Sequence, residues 1–256
     1  MNPVRMQFVR EKVLEITREE HGEEAVKGGN PLQGLDILDV GCGGGLLSES
    51  LARLGAHTVG IDASESNIAI ASSHASADPR LSADSSRPSS KGSLVYRHIS
   101  AEEILKEQKR FDVVCSMEVL EHVDNPAGFI SSCAELLKPG GHLFLSTIAR
   151  TPLSYVLTIL VAEHILRKVT PGTHTHSKYI NPSELISFFS KYRSPSDEEG
   201  MSWITRTYEH GLPMRTEAEV RGMVYIPWKG QWMLTPRGAS GWGTTHCNYL
   251  FWVRKP

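Results

Sequence analysis

Glu118, Glu121 and His122 place two carboxylates and an imidazole within five consecutive positions. If this segment is helical, the three side chains lie three and four positions apart and share one face. Such groups often form only a hydrogen-bonded surface cluster. Here, however, they directly follow an apolar run at 111–117 that predicts a buried strand. Ligands of doubly wound sheets bind beyond the carboxyl ends of the strands, so we predict a site at this point. Oxygen and imidazole ligands suit a divalent ion such as Mg²⁺.

A second candidate site follows the apolar run at 37–40, where four of the next five residues are glycine: 41, 43, 44 and 45. Glycines let the backbone turn sharply and approach a ligand closely. Asp62 stands about twenty positions further on, at the end of the next predicted strand, where a carboxylate can hold ribose hydroxyls. The third glycine of the dinucleotide fingerprint is replaced by Leu46. The pattern therefore favours an adenosine ligand without a pyrophosphate; the alternative is a structural turn without a ligand.

Alternating strand and helix patterns surround both sites and predict an α/β fold with a mainly parallel sheet. Ser64, and Ser100 with Glu103, are predicted to cap two of the helices. The serine-rich stretch 78–92 predicts a loop. The predicted helices are 2–20, 46–54, 65–77, 101–108, 127–137, 153–166 and 182–192. The predicted strands are 37–40, 59–62, 94–99, 111–117, 142–147, 204–208, 220–225 and 248–253, the last of them antiparallel.

Composition limits the classes of partner. The chain has 256 residues and a net charge of −2, with 27 basic and 29 acidic side chains, so it offers no basic field for a nucleic acid. Its four cysteines lack metal-site spacing and indicate a reducing compartment, where they serve as small core residues. No apolar run approaches the roughly 20 residues needed to span a bilayer. These features predict one domain, residues 1–256, that is soluble or peripheral and acts on a small molecule.

Several motifs resemble those of the ubiquinone biosynthesis O-methyltransferases, which belong to the class I enzymes that use S-adenosylmethionine. The glycine motif and LKPGG mark the wider superfamily, whereas MNPVR, MEVLEHV and PGTH in this order point to the narrower family. The matching stretches are MNPVR at 1–5, LDVGCGGGLL at 38–47, GID at 60–62, MEVLEHV at 117–123, LKPGG at 137–141 and PGTHTHSKYINPSEL at 171–185.

The resemblance implies a Rossmann-like fold: a mainly parallel seven-stranded sheet with helices on both faces and an inserted helical segment after the fifth strand. It also implies residue roles. Arg5, Gly41, Asp62 and Met117 would contact S-adenosylmethionine; Glu118, Glu121 and His122 would bind Mg²⁺, with Glu121 and His122 as the catalytic residues. The expected substrates are polyprenyl-dihydroxybenzoate and demethylubiquinol. Mg²⁺ coordinated by their catechol oxygens would lower a hydroxyl pKa and align the oxygen with the methyl group.

A polyprenyl tail needs an apolar route, and the insertion, about 149–180, is the candidate for it. Within it, 153–166 places Leu153, Val156, Leu157 and Leu160 on one helical face. This helix is either a buried lid or an interfacial helix that docks on a membrane. By resemblance we expect a peripheral protein on the matrix side of the mitochondrial inner membrane, with other ubiquinone-biosynthesis proteins as possible partners. Family members usually have a further segment before MNPVR, so we also expect the sequence to be a mature or truncated fragment.

Several questions stay open at this stage. His174 and His176 are candidates for a separate general base, or plain surface residues. Trp228, Trp232 and Trp242 either line the substrate site or cover the sheet. The competing functions are another small-molecule methyltransferase and a non-catalytic S-adenosylmethionine-binding subunit of a biosynthetic complex. PGTH together with ExxEH argues against the former, and the complete set of predicted site residues argues against the latter.

Overall fold

The computed structural model describes residues 1–28, 30–81, 92–165, 167, 170, 172–173, 175–195, 200–208, 211–239 and 243–256. Most of the predicted loop 78–92, together with His174 and Trp242, lies outside these described residues. Within them, no helix combines the length and the apolar character that a membrane crossing requires.

One mixed sheet of eight strands forms the centre of the molecule, in the spatial order β3-β2-β1-β4-β5-β8-β6-β7. The first five strands pair in parallel, whereas β8, β6 and β7 are joined by antiparallel pairing. The chain order reverses at β1, between β2 and β4, which creates the crevice where doubly wound folds bind ligands. The strands are β1 (Asp36–Val40), β2 (His57–Asp62), β3 (Ser93–His98), β4 (Phe111–Met117), β5 (Leu137–Ile148), β6 (Ala218–Ile226), β7 (Gln231–Leu234) and β8 (Asn248–Arg254).

Helices cover both faces of this sheet, because successive strand residues point to opposite sides. In β8, for example, Phe251 belongs to one buried cluster and its neighbour Trp252 to the other. The cluster containing Trp252 packs against α1 and α2, and the other packs against α4, α5 and α7. The helices are α1 (Asn2–His21), α2 (Leu46–Arg53), α3 (Glu65–Ser76), α4 (Ala101–Ile104), α5 (Pro126–Glu135), α6 (Pro152–Ser154) and α7 (Pro182–Lys191).

A buried lysine fixes α1 against the sheet. Lys12 is 1% exposed, forms ion pairs with Glu219 of β6 and with Glu15, and lies 4.5 Å from the centre of the Trp252 ring. A charge so deeply buried is stable only when it is paired. These contacts set the position of the first turn of α1, which carries Arg5.

The α/β class and the mainly parallel first half are confirmed, but the sheet has eight strands rather than seven. The additional edge strand is β7, whose four residues alternate too briefly for a sequence pattern to predict a strand. Conversely, the predicted strand 204–208 is absent: this part of the chain forms only a single bridge between Thr207 and Pro213. The motif LKPGG, expected to end a helix, instead begins β5.

The insertion after β5 differs from the predicted regular helix. α6 continues directly into a π-helix, Tyr155–Ile165, and a short 3₁₀ turn follows at His176–Lys178. The wider π spacing turns Thr158 and Glu163 inward, where they are 9% and 1% exposed. Polar side chains therefore line the inner face of this segment.

Candidate active site

The glycine turn after β1 is held by its own backbone. The N–H groups of Gly41 and Cys42 both donate to the carbonyl oxygen of Ile61, at 2.8 and 2.9 Å, and the N–H of Gly43 donates to Asp62. Since these three N–H groups already donate within the protein, they are not free to bind the oxygens of a phosphate. The turn instead leaves space for a ligand. This arrangement suits a nucleoside without phosphate better than a pyrophosphate.

Gly41 also explains why the turn needs glycine. Its φ is +73°, and a Cβ atom built there would lie 2.4 Å from Cγ2 of Val119. Such a contact is impossible without movement of the neighbour. Val119 follows β4, so the cofactor turn and the segment with the predicted catalytic residues are in direct contact.

Asp62 ties the end of β2 to this turn and to α3. One carboxylate oxygen accepts from the N–H of Gly43 at 2.9 Å; the other accepts from the N–H of Ser64 at 2.8 Å and from Nδ2 of Asn67 at 3.2 Å. Hydrogen bonds from three donors fix the carboxylate at the carboxyl edge of the sheet. Asp62 is thus placed where the sequence predicted it.

A further carboxylate, Asp39, was not selected from the sequence. It is 2% exposed and accepts a 2.6 Å hydrogen bond from the Ser48 hydroxyl. Burial raises its pKa to about 6. Its position inside an apolar strand gave the only signal: an acidic residue interrupting a buried strand requires a partner.

The segment after β4 is not the regular helix that would place all three side chains on one face. Glu118 has a φ of +58°, in the left-handed region, and reverses the chain before a 3₁₀ turn, Leu120–His122. Its backbone N–H is held by the carbonyl and hydroxyl oxygens of Ser146, at 3.0 and 3.1 Å. A non-glycine residue in this conformation marks local strain at the centre of the candidate site.

Side chains of β5 and β8 hold the two carboxylates. The Ser146 hydroxyl donates to Glu118 at 2.7 Å, and the Thr147 hydroxyl donates to Glu121 at 2.7 Å. Nδ2 of Asn248 lies 3.4 Å from the other oxygen of Glu118. The sequence analysis missed these three residues, because contacts between strands far apart in sequence leave no local pattern.

Glu121 is the most perturbed acid of the site. It is 4% exposed, and burial together with the nearby charge of Glu118 raises its pKa to about 7. A carboxylate with a pKa near neutrality can accept a proton from a substrate hydroxyl. His122, by contrast, lies on the exposed side of the 3₁₀ turn.

The predicted Mg²⁺ ligands do not gather into a metal site. Among the residues that the structure describes, no group of three or more histidine, cysteine, aspartate or glutamate side chains could hold a metal ion. Glu118 is paired with Arg5 and Glu121 with Thr147, while His122 is exposed. Mg²⁺ binding therefore stays a prediction from the sequence.

Arg5 reaches the site from α1, as the sequence predicted, and lies 3.2 Å from Glu118. Within the part of the chain that the structure describes, its Nε atom is buried without a hydrogen-bond partner, and so is Oδ1 of the neighbouring Asn2. Met117 is 8% exposed, at the end of β4 in the same cluster as α1. An orphaned guanidinium nitrogen beside the glycine turn fits a ligand with a carboxylate, such as the methionine part of S-adenosylmethionine.

Comparison with known proteins identifies the family of the chain. The family described as "Methyltransferase domain" matches residues 8–205. The Schizosaccharomyces pombe protein "Ubiquinone biosynthesis O-methyltransferase, mitochondrial" is 42% identical over 95% of this chain and 77% of its own length. The Rattus norvegicus protein of that name is 42% identical over 92% of this chain, but the match covers only 58% of the rat protein. Bacterial relatives carry the name without the mitochondrial term.

The fold has a solved counterpart as well. The plantazolicin methyltransferase, solved in complex with SAH, aligns with a TM-score of 0.55 over 98% of this chain and 85% of its own, at 13% identity. At that identity the likeness concerns the fold alone. The sequence matches extend over nearly the whole chain at much higher identity, and we conclude that the chain belongs to the ubiquinone biosynthesis O-methyltransferases, a family of S-adenosylmethionine-dependent enzymes.

Proposed function

We propose that the protein transfers a methyl group from S-adenosylmethionine to one hydroxyl of a polyprenylated catechol, an intermediate of ubiquinone biosynthesis such as polyprenyl-dihydroxybenzoate or demethylubiquinol. The observation that carries the proposal is the contact between the two candidate sites: Gly41 abuts Val119, and Arg5 pairs with Glu118. The residues proposed to hold the cofactor are thereby in contact with the segment that carries the buried carboxylate of Glu121. The printed names of the relatives support the pathway.

In this proposal the cofactor is held by Arg5, Gly41, Asp62 and Met117. The guanidinium of Arg5 faces the carboxylate of the methionine part, and Asp62 accepts from the ribose hydroxyls. When bound, S-adenosylmethionine supplies an electrophilic methyl group on a positively charged sulfur. The task of the protein is then to align the two reactants and to exclude water.

Glu121 is the proton acceptor of the proposed reaction. The catechol O–H proton passes to its carboxylate, the oxygen forms the new bond to the methyl carbon, and the cofactor leaves as a neutral thioether. Thr147 holds the carboxylate in place through its 2.7 Å hydrogen bond. Burial keeps the pKa of Glu121 high enough for proton uptake near neutral pH.

Mg²⁺ is not assigned a step, because Glu118, Glu121 and His122 do not come together as ligands among the described residues. The metal requirement predicted from the sequence remains open to a direct measurement: methyl transfer assayed with Mg²⁺ and then with EDTA. Loss of activity on chelation would support the sequence prediction, and unchanged activity would remove the ion from the proposal.

We also propose that the protein works on a membrane, since its substrate carries a long apolar tail. The inserted segment supports this: its inner face is polar, whereas its outer face presents large apolar side chains. The exposed residues and their exposed fractions are Tyr155 (41%), Val156 (42%), Leu157 (43%), Leu160 (40%) and Ile165 (70%). A helical segment with this inverted arrangement suits an interface with lipid rather than a lid over the core.

The matrix side of the mitochondrial inner membrane is the proposed location, with other ubiquinone-biosynthesis proteins as proposed partners. The names of the yeast and rat relatives include the word mitochondrial and support this location. The bacterial relatives do not support it. Import of a tagged protein, followed by carbonate extraction and protease protection of mitoplasts, tests this placement. Protection together with release by carbonate is the expected result.

The function itself is tested by methyl transfer to a short-chain prenyl dihydroxybenzoate, with the product identified by mass. Asp62→Ala should abolish cofactor binding, and Glu121→Gln should retain cofactor binding but lose turnover. Asp124→Asn is the matched control, because the Asp124 side chain is 98% exposed and pairs with Lys178 on the surface. Cofactor binding without turnover on any catechol would favour a non-catalytic subunit instead.

A further inference from the structure

The hairpin formed by β6 and β7 extends past the rest of the sheet. Gly222 lies level with Tyr249 of β8, which in turn lies level with Thr147 near the end of β5. β6 runs in the same direction as β5 and continues for four residues after Gly222, to Ile226. At about 3.3 Å per residue, the strand reaches roughly 13 Å beyond the level of Thr147, and thus past the end of β5 at Ile148. It therefore projects on the side of the candidate active site.

One face of this hairpin is anchored to the protein. Met223 is 2% exposed, and Trp232 and Leu234 pack on the same buried cluster as α1. Tyr225 lies directly across from Trp232, with ring centres 5.5 Å apart. The base of the hairpin is thus held in place, and its end is presented as a defined shape rather than as a free loop.

The hairpin tip, which we define as residues 225–230, is aromatic and exposed. Its short turn, Pro227–Lys229, places Trp228 outward with 82% of its surface exposed, and Tyr225 is 45% exposed. A buried aromatic side chain removes up to about 250 Å² of surface from water, and the exposed indole of Trp228 does not gain this burial. Tryptophan and tyrosine next to a lysine are the residue types enriched where a protein meets the headgroups of a bilayer.

The positive charge of the C-terminal part of the chain also favours binding of the hairpin tip to an anionic surface. No aspartate or glutamate follows Glu219 in the sequence, whereas five basic residues do: 221, 229, 237, 254 and 255. Among these, Arg221, Arg237 and Arg254 form ion pairs with Glu219, Glu15 and Glu20. Lys229 is the basic residue at the tip. It is adjacent to Trp228, and its charge lies beyond the edge of the sheet.

We propose that the hairpin tip is a membrane anchor that inserts Trp228 into the headgroup region of an anionic phospholipid bilayer, with Lys229 contacting the lipid phosphates. The proposal rests on the proposed function, because a lipid-tailed substrate requires the active-site edge to face a bilayer. The inserted segment after β5 leaves the same edge of the sheet. Attachment at two separate elements fixes the orientation of the crevice toward the membrane, which a single helix would leave free to rotate.

The test uses the full chain with vesicles of phosphatidylcholine, prepared with and without phosphatidylglycerol. We expect Trp228→Ala to weaken partitioning about tenfold on anionic vesicles. Lys229→Gln should weaken it about fivefold on anionic vesicles and leave binding to neutral vesicles unchanged. Tyr208→Ala is the control, since Tyr208 is 65% exposed but lies near the start of β6, at the opposite edge. Brominated lipids should quench the wild-type fluorescence more than that of Trp228→Phe.

Equal partitioning of Trp228→Ala and wild type would overturn the proposal. So would a loss of turnover by Trp228→Ala on a short-chain catechol in solution, because the tip would then belong to the substrate pocket. If the wild-type protein methylated no catechol, the proposed function would be refuted. The vesicle measurements would still decide whether the tip binds lipid. Retained turnover on the short-chain substrate, with reduced turnover on a vesicle-embedded one, is the expected pattern.

Discussion

Two regions at the carboxyl edge of the sheet follow opposite rules of burial. Around the glycine turn, apolar side chains of β1 and α2 are buried, and Asp62 binds groups nearby in sequence. In the π-helix after β5, Thr158 and Glu163 are buried and Leu157 is exposed. The first region thus packs like a globular core, whereas the second conceals its polar groups.

The difference shows what each region faces. Thr158 donates to the carbonyl of Ser154 at 2.7 Å and lies 2.7 Å from the Tyr179 hydroxyl, and Glu163 accepts from the N–H of Gly172 at 2.8 Å. Buried polar groups with such partners stabilise the segment without an apolar inner face. Its apolar residues remain available for contact outside the protein. The packing of the cofactor side is therefore determined by the protein core. The arrangement of the proposed lipid side is determined by the lipid outside the protein.

The largest effect expected on the cofactor side comes from Gly41→Ala. The left-handed φ and the clash with Val119 together should cost about 3 kcal/mol of unfolding free energy and abolish cofactor binding. Gly43→Ala is the matched control: its φ is +52°, but no atom lies within 4 Å of the added Cβ. That variant should lose only about 1 kcal/mol. Urea unfolding and calorimetric titration with S-adenosylmethionine measure both quantities.

If Gly41→Ala and Gly43→Ala lost the same free energy, the contact with Val119 would be energetically unimportant. The pair thus tests whether the cofactor turn is packed as tightly as a core.

The next effect concerns the outer face of the π-helix. Replacing Val156, Leu157 and Leu160 together by serine should weaken vesicle partitioning about a hundredfold, because three large apolar side chains no longer enter the lipid. Since these side chains are only about 40% exposed, the unfolding free energy should also fall, by about 3 kcal/mol for the three together. Co-sedimentation with vesicles and thermal unfolding in their absence separate the two effects. A large drop in stability with unchanged partitioning would make the segment an ordinary buried lid.

Thr158→Val tests the inner face of the same segment. The substitution keeps the shape of the side chain but leaves the Tyr179 hydroxyl and the Ser154 carbonyl without this partner, which should cost about 2 kcal/mol. Partitioning onto vesicles should change little, since Thr158 is only 9% exposed. The reverse outcome, full stability with lost lipid binding, would contradict the inverted arrangement.

The smallest expected effect is on pH dependence. Because the pKa of Glu121 is raised to about 7, its proton-accepting form increases as pH rises through about 7, and kcat/KM should rise over the same interval. The Thr147 hydrogen bond favours the charged carboxylate, so Thr147→Val should move this rise to higher pH by about one unit. Ser146→Ala is the comparison variant, as its hydroxyl contacts Glu118 instead. A pH profile identical in Thr147→Val and wild type would remove Glu121 as the titrating group.

The strands and helices around the glycine turn were predicted well because their signals are local. The capping residues Ser64 and Ser100 each act on a backbone N–H three positions later. The glycines and Asp62 are separated by about twenty positions, but they lie within one strand–helix–strand unit. The turn from β4 into Glu118 could not be predicted, because ExxEH is compatible with helical spacing and nothing nearby signals a left-handed residue. Ser146 imposes that turn from 28 positions away. Thr147 and Asn248 were missed for the same reason, since strand pairing alone brings them to the carboxylates.

The contact between Gly41 and Val119 sets a rule for redesign. A larger side chain at position 119, chosen to reshape the pocket for a different aromatic ring, would press first on the backbone of position 41, where no smaller residue exists to compensate. The methyl donor would be lost before the acceptor changed. Acceptor preference is therefore more safely altered from Asn248, on β8, which lies three strands away from β1 in the sheet.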